Sequence, residues 1–419
     1  MPRPYGLSQW HACVSTHLPH LSAPQRQVLA LWSFGTVLAQ RCGLTTVGVL
    51  LAALFQQRDQ TLFQRLRDWY RTARHKSGAA QGGKRREVDV TTCFAPLLRW
   101  VLQLLPTDCR TLALAMDAST LGQRFTILNL RVVICGSAIP VAWKVVPATA
   151  KGAWRPHWEG LFAHLRAVTP ADWTVIVLAD RGVSARWLFR TITAMGWRPF
   201  LRINRQGQYR PAGATDDQPL TQVVSKVWSG LERTSHVFHN PRTPGGRHRA
   251  GALGPRLYRT QVDPDRLAAQ PGRGHVVWHA RLDRGGSKDA KRGGWHWEQT
   301  KMTDLQRAER LWLTMALATL WVVSVGCAAE VAHPASQLEA LPATHIARRR
   351  ASGRRAPRVT SCCRRRRLVL LTALLHGDGD SLPVMQLVPE PWTKRLDTPT
   401  GCRTESRPHQ DAVVQKLYT

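Results

Sequence analysis

Residues 112–117, LALAMD, and 173–180, WTVIVLAD, decide the reading of the fold. Each is a short apolar run that closes on a lone aspartate, Asp117 and Asp180. Working outward, ILNLRVVICG (127–136) and IPVAWKVVP (139–147) are further apolar runs rich in β-branched residues and bounded by Gly or Pro, the mark of strands. HWEGLFAHLRAV (157–168) sets Leu161, Leu165 and Val168 on one helical face. ARWLFRTITAMG (185–196) reads as a helix stopped by Gly196, and RPFLRIN (198–204) as one more strand. The predicted order is three strands, helix, strand, helix, strand: an α/β arrangement whose first three strands form a meander.

Ahead of this block, residues 1–106 read as helical. Leu29, Leu31, Trp32, Val37 and Leu38, then Leu50, Leu51, Leu54 and Phe55, recur at helical spacing, and FQRLRDWYRTARHK (63–76) carries a basic face. CFAPLLRWVLQLLP (93–106) reads as a helix stopped by Pro106. An all-helical basic segment suits a DNA-binding domain; a helical cap or dimerisation unit is the alternative. The sheet block spans 107–204, and 205–287, rich in Gly, Pro and Arg, reads as an insertion with short strands at KVWSGLER (226–233) and GHVVWHAR (274–281). Residues 288–332 complete the sheet domain, and 333–419 form an Arg-dense tail interrupted by LVLLTALL (368–375).

Charge narrows the function. The 419 residues hold 59 Lys+Arg against 27 Asp+Glu, a formal net charge of +32. So large a surplus points to a polyphosphate partner, because each neutralised phosphate releases a condensed counterion. A solvated basic surface is the bland alternative. The nine cysteines show no C-x-x-C pair, which reads as reduced thiols in a cytoplasm. The N-terminal residues lack an apolar core of the signal-peptide kind. Leu311–Ala329 is almost long enough to span a bilayer, but a core helix buried on all sides is the favoured reading, with no membrane partner expected. No phosphate-binding G-x4-G-K-[ST] loop and no zinc-type histidine spacing is present.

Asp117 and Asp180 are the candidate chemistry. Two carboxylates at the ends of strands in one sheet repel each other unless a divalent cation relieves them, and hard oxygen donors favour Mg²⁺ or Mn²⁺. Capping of a following turn or helix is the competing role for each. AMDAST (115–120), the spacing to LADRG (178–182), GWRPFLRIN (196–204), GGWHWEQTKMTDLQRAERLWL (293–313) and ALATLWVVSVG (316–326) together resemble the catalytic core of insertion-sequence transposases of the IS-four-like DDE group. The resemblance implies an RNase H-like mixed sheet flanked by helices, with a β-rich insertion before the last catalytic helix. It implies Asp, Asp and Glu ligands for two Mg²⁺ (or Mn²⁺) ions, with Asp117 and Asp180 as the first two. It implies double-stranded DNA partners, transposon ends and target, with a homodimer holding two ends. Arg181, Lys291 and Arg292 would lie near phosphate; Trp295 and Trp297 would stack on an unpaired base, with packing as their alternative.

The third carboxylate departs from the pattern. The family's Tyr-x2-Arg-x3-Glu-x6-Lys segment maps its Glu to Gly285 counting from Trp278 and Arg281, and to Arg284 counting back from Lys291. Asp283 is the nearest acid, shorter than Glu and out of register. Glu298 and Glu309 belong to the flanking pattern. Back-translation of 277–286 in a frame shifted by one nucleotide can read Tyr-Gly-Met-Arg-Ala-Trp-Ile-Glu-Ala, so a pair of compensating frameshifts accounts for both the missing acid and the mismatched anchors. A divergent functional segment is the alternative. As written, the polypeptide is expected to bind DNA and to cut it poorly or not at all; a catalytically dead DNA-binding transposase derivative, or an RNase H-like nuclease, is the alternative.

Overall fold

The strand that carries Asp117 does not stop there. β1 (Thr111–Leu121) runs four residues further, so the expectation that this aspartate closes its strand is corrected. The segment after it, ASTL, stays extended, which removes the turn-capping role for Asp117. The three residues Gly122–Arg124 then lead into β2 (Phe125–Ile134); so short a connection joins only antiparallel neighbours. Gly122 sits at φ +55, a conformation that costs glycine little. β3 (Ser137–Pro147) pairs antiparallel with β2, with a register shift at Leu130/Arg131. After α6 (Arg155–Arg166) come β4 (Thr174–Ala179), α7 (Arg186–Ala194) and β5 (Arg198–Leu201). The five strands form one mixed sheet in the order β3-β2-β1-β4-β5, flanked by helices. The predicted sequence of elements is therefore observed.

This computed structural model describes residues 5–76, 86–134, 137–150, 154–180, 182–183, 185–201, 208–211, 216, 218–219, 232–236, 256–259, 294–332, 370–372 and 384–389. The chain divides into two compact units, and the division runs through β1. One unit joins 1–109, 118–173 and 284–391; the other joins 110–117, 174–283 and 392–419.

The first unit holds five N-terminal helices: α1 (Tyr5–His17), α2 (Ala23–Ala39), α3 (Leu44–Phe55), α4 (Asp59–Tyr70) and α5 (Phe94–Gln103). They share this unit with β2, β3, α6 and the long α8 (Leu305–Ala332). Its core is built on tryptophan. Trp10, Trp32, Trp100, Trp143, Trp158, Trp312 and Trp321 are all sealed from solvent. Trp10 stacks on Trp321 at 4.5 Å between centroids with 8° between planes, and Phe34 lies against the same Trp321. Flat rings in offset contact add to the large area each one buries.

α8 is the one helix among the described residues that is apolar and long enough to cross a membrane, and 94% of its apolar window is buried inside the protein. This is the core-helix reading. Its few hydroxyls are satisfied along its own backbone: Thr314, Thr319 and Ser324 donate to the carbonyls of Leu311, Met315 and Trp321. Its charged first turns are clamped. Buried Arg310 donates to the carbonyls of Val88 and Tyr70 and faces Glu87 at 3.3 Å. Glu309 pairs with Lys144 at 2.8 Å and accepts the Val145 N–H at 3.1 Å, while the Trp143 indole donates to its carbonyl. The open edge of β3 is thereby covered, which removes a site for stray strand pairing.

In the second unit, β4 lies parallel to β1 and to β5, and α7 packs Leu188, Phe189 and Ile192 inward. Gly196, at φ +76, ends the helix. A second sheet follows, of order β7-β6-β8-β9, from β6 (Gln208–Pro211), β7 (Gln218–Pro219), β8 (Glu232–His236) and β9 (Arg256–Arg259). β8 begins at the end of KVWSGLER; GHVVWHAR lies outside the described residues.

Candidate functional site

The register of β1 against β4 builds the site. Six consecutive pairs run from Thr111↔Thr174 to Met116↔Ala179. Asp117 and Asp180 are the residues that follow this last pair on the two strands. Neighbouring strands stand about 4.8 Å apart, so two carboxylates at one register position share one patch of space. Sequence alone allowed this meeting without requiring it, since it does not say which strands are neighbours. Every residue from Leu112 to Met116 and from Val175 to Ala179 is buried. A slip of one residue would turn each row of side chains to the opposite face.

Asp117 is half-buried within β1, at the point where the pairing to β4 ends. Asp180 is exposed, one residue past the end of β4. It opens a turn in which the Val183 N–H donates to its carbonyl at 3.0 Å. Asp180 does not cap α7, whose N-cap is Ala185. Both aspartates lie in the same compact unit.

Paired carboxylates are the donor chemistry that suits a hard divalent cation, and these two fit as part of such a set. Among the described residues no group of three or more His, Cys, Asp and Glu side chains is gathered as a metal cage requires. Asp283, the weak candidate for a third ligand, lies outside the described residues, as do Arg181, Lys291, Arg292 and the whole of 277–287. Glu309 is engaged with Lys144, in keeping with its reading as a flanking residue. Glu298 sits 3.4 Å from the His296 ring.

Trp295 and Trp297 are inside the first unit. Trp295 is 2% exposed and donates its indole N–H to Thr319; Trp297 is wholly buried, edge-on to Trp312 and stacked near Phe125. A ring so placed must leave its packing before it can meet a base, and the packing alternative describes what both rings do here. The signal that sequence offered, aromatic residues beside a basic run, is shared by core and interface.

Sequence reasoning passed over two arginines. Arg186 and Arg190 stand one turn apart on α7, both exposed, on the helix that follows the Asp180 turn. Their i,i+4 spacing was the available signal. No protein-family model matches this chain, and no characterised protein matches it.

Proposed function

We propose that the chain is a DNA transposase of the DDE type with an RNase H-like core, acting on insertion-sequence ends. One observation carries the reading: the parallel register of β1 and β4 that brings Asp117 beside Asp180. The strand order β3-β2-β1-β4-β5, a meander followed by two parallel strands, agrees with that core. The net charge of +32 supplies the attraction for a DNA backbone.

In this reading Asp117 and Asp180 are the residues that would hold a divalent cation. Mg²⁺ or Mn²⁺, when bound, supplies Lewis-acid activation of a phosphodiester. The chain's own part is to position and to neutralise. The buried halves of β1 and β4 fix the two carboxylates on a rigid seam. Arg186 and Arg190, with Arg181 before them, would hold backbone phosphate beside that seam. Two aspartates alone make a poor cage, so the chain as it stands binds DNA and cleaves it weakly.

The test is metal-dependent cleavage of labelled terminal repeats of its own element. Cleavage should require Mg²⁺ or Mn²⁺, vanish in Asp117→Ala, and rise when the acid is supplied by Arg284→Glu or Gly285→Glu. Cleavage that survives Asp117→Ala overturns the assignment. A second reading, a DNA-binding derivative without activity, is favoured by the Arg and Gly at positions 284 and 285. It predicts end binding without any cut until the acid is restored.

A further inference from the structure

The first unit contains a cleft of about 580 Å³ at the corner where α2 gives way to α3, walled on its far side by residues 296–311. The corner is abrupt: the two helices meet at 94°, and Gln40 adopts φ 52 to end α2. Both walls are tied. The Cys42 N–H donates to the Trp295 carbonyl at 2.9 Å, and the Trp32 indole donates to the Cys42 carbonyl at 3.2 Å. Across the cleft, Arg124 donates to the carbonyls of Thr300 and Met302 at 2.7 and 2.8 Å. The cavity is therefore preformed, which lowers the ordering cost of binding.

Its lining is cationic. Arg41, Lys301 and Arg307 line it together with one carboxylate, Asp304, and Arg41 donates to the Gln299 side chain at 2.6 Å. Asp304 is already engaged, accepting the Arg307 backbone N–H at 2.9 Å. Its other oxygen stands 3.9 Å from Arg307 Nε, too far for a hydrogen bond, and that Nε is shut from water with no hydrogen-bond partner among the described residues. The next acid, Glu298, is directed to His296. The first turn of α3, which has neither a side-chain cap nor an acidic residue, adds backbone N–H groups to the same wall. Beside these sits an aromatic face: Tyr70, part-exposed, leans on buried Trp32 at 5.7 Å.

Cations fixed beside a ring, in a cavity within the roughly 300–1,000 Å³ of small-ligand sites, match one chemistry. We propose that this cleft binds a nucleoside phosphate, with the phosphate on Arg41, Lys301 and Arg307 and the base against Tyr70. The moiety comes either as a free mononucleotide or as the terminal nucleotide of a DNA strand. The inference rests on the cleft alone and makes no use of Asp117 or Asp180.

The test uses the full chain in EDTA, so that cleavage plays no part. Binding of dAMP is measured by calorimetry, and that of a short 5′-phosphorylated single strand by anisotropy. Arg41→Gln with Lys301→Gln removes two exposed charges and should weaken binding about tenfold, given the strength of charge-assisted contacts to phosphate. Arg65→Gln with Arg166→Gln, equally exposed and away from the cleft, should change it less than about twofold. Tyr70→Phe should bind as the parent and Tyr70→Leu more weakly, with thermal unfolding recorded for each. Binding of both probes through the cleft, or of the strand alone, supports the proposal and identifies the source. Equal losses in the two double variants, or indifference to Tyr70→Leu in a folded protein, overturn it. Cleft binding without cleavage, or cleavage without cleft binding, separates this inference from the transposase reading.

Discussion

Glu309 and the pair Asp117–Asp180 show two ways of placing carboxylates at the margin of one sheet. Glu309 meets a lysine at 2.8 Å and a backbone N–H at 3.1 Å, and it seals a strand edge. Asp117 and Asp180 are set at adjacent register, acid beside acid. The first arrangement lowers the energy of the fold with what the chain itself provides. The second leaves two acids at the point where two parallel strands stop pairing. The contrast sorts residues that hold the structure from residues held by it.

The largest expected effect strikes the holding side. Trp321→Ala removes the ring on which Trp10 and Phe34 pack, and should cost roughly 3–5 kcal/mol by denaturant unfolding. A loss below about 1 kcal/mol would mean that the tryptophan core is not what supports α8. Next comes the acid pair. Mn²⁺ should raise the melting temperature of the parent chain, by about 2.7 kcal/mol of stability at a hundredfold excess over Kd. The double variant Asp117→Asn/Asp180→Asn should lose that response. A Mn²⁺ response that survives in the double variant would erase the comparison.

Glu309→Ala should come third, about 1–2 kcal/mol, mostly from the orphaned Val145 N–H. The ion pair adds little because Lys144 is 40% exposed and screened. Glu309→Gln, which still accepts from that N–H, should therefore recover most of the loss in thermal melts. The smallest effect is in pH. Burial pushes the His17 and His20 rings below their ordinary 6.5, so the unfolded chain takes up protons more readily than the folded one. Stability is then full above about 6.5 and should fall as pH drops below it. His17→Gln with His20→Gln should flatten that slope. Burial pushes the Cys42 and Cys93 thiols up to about 12, so both should resist iodoacetamide at pH 8.5 until the protein unfolds.

Much of this was legible in the sequence where one residue type had one use. The run 175–179 is apolar on both faces, which only a covered strand tolerates, and Gly196 and Pro106 punctuate as expected. Leu311–Ala329 was readable as core because it is a single apolar segment that follows the charged RAER of 307–310. What the sequence withheld depends on distance across the fold. Arg41 and Gln299 meet across the cleft although 258 residues separate them, and no local pattern joins them. Trp295 and Trp297 looked alike as stacking platforms and as core, because an indole serves either. The third acid was sought by counting, and counting fails wherever the two anchors disagree.

α8 has a further consequence along the axis of time. The helix that fills the first unit is the last of its described long elements to be made, and the rings it covers, Trp10 and Phe34, are among the earliest. At about 5–20 residues per second, the amino-terminal helices wait tens of seconds on the ribosome for their partner. During that interval Trp10 and Phe34 lack the Trp321 ring they pack on. A message that ends before Leu305 yields helices with nothing to close on. A truncated copy therefore lacks the helix whose Trp321 ring Trp10 and Phe34 pack on.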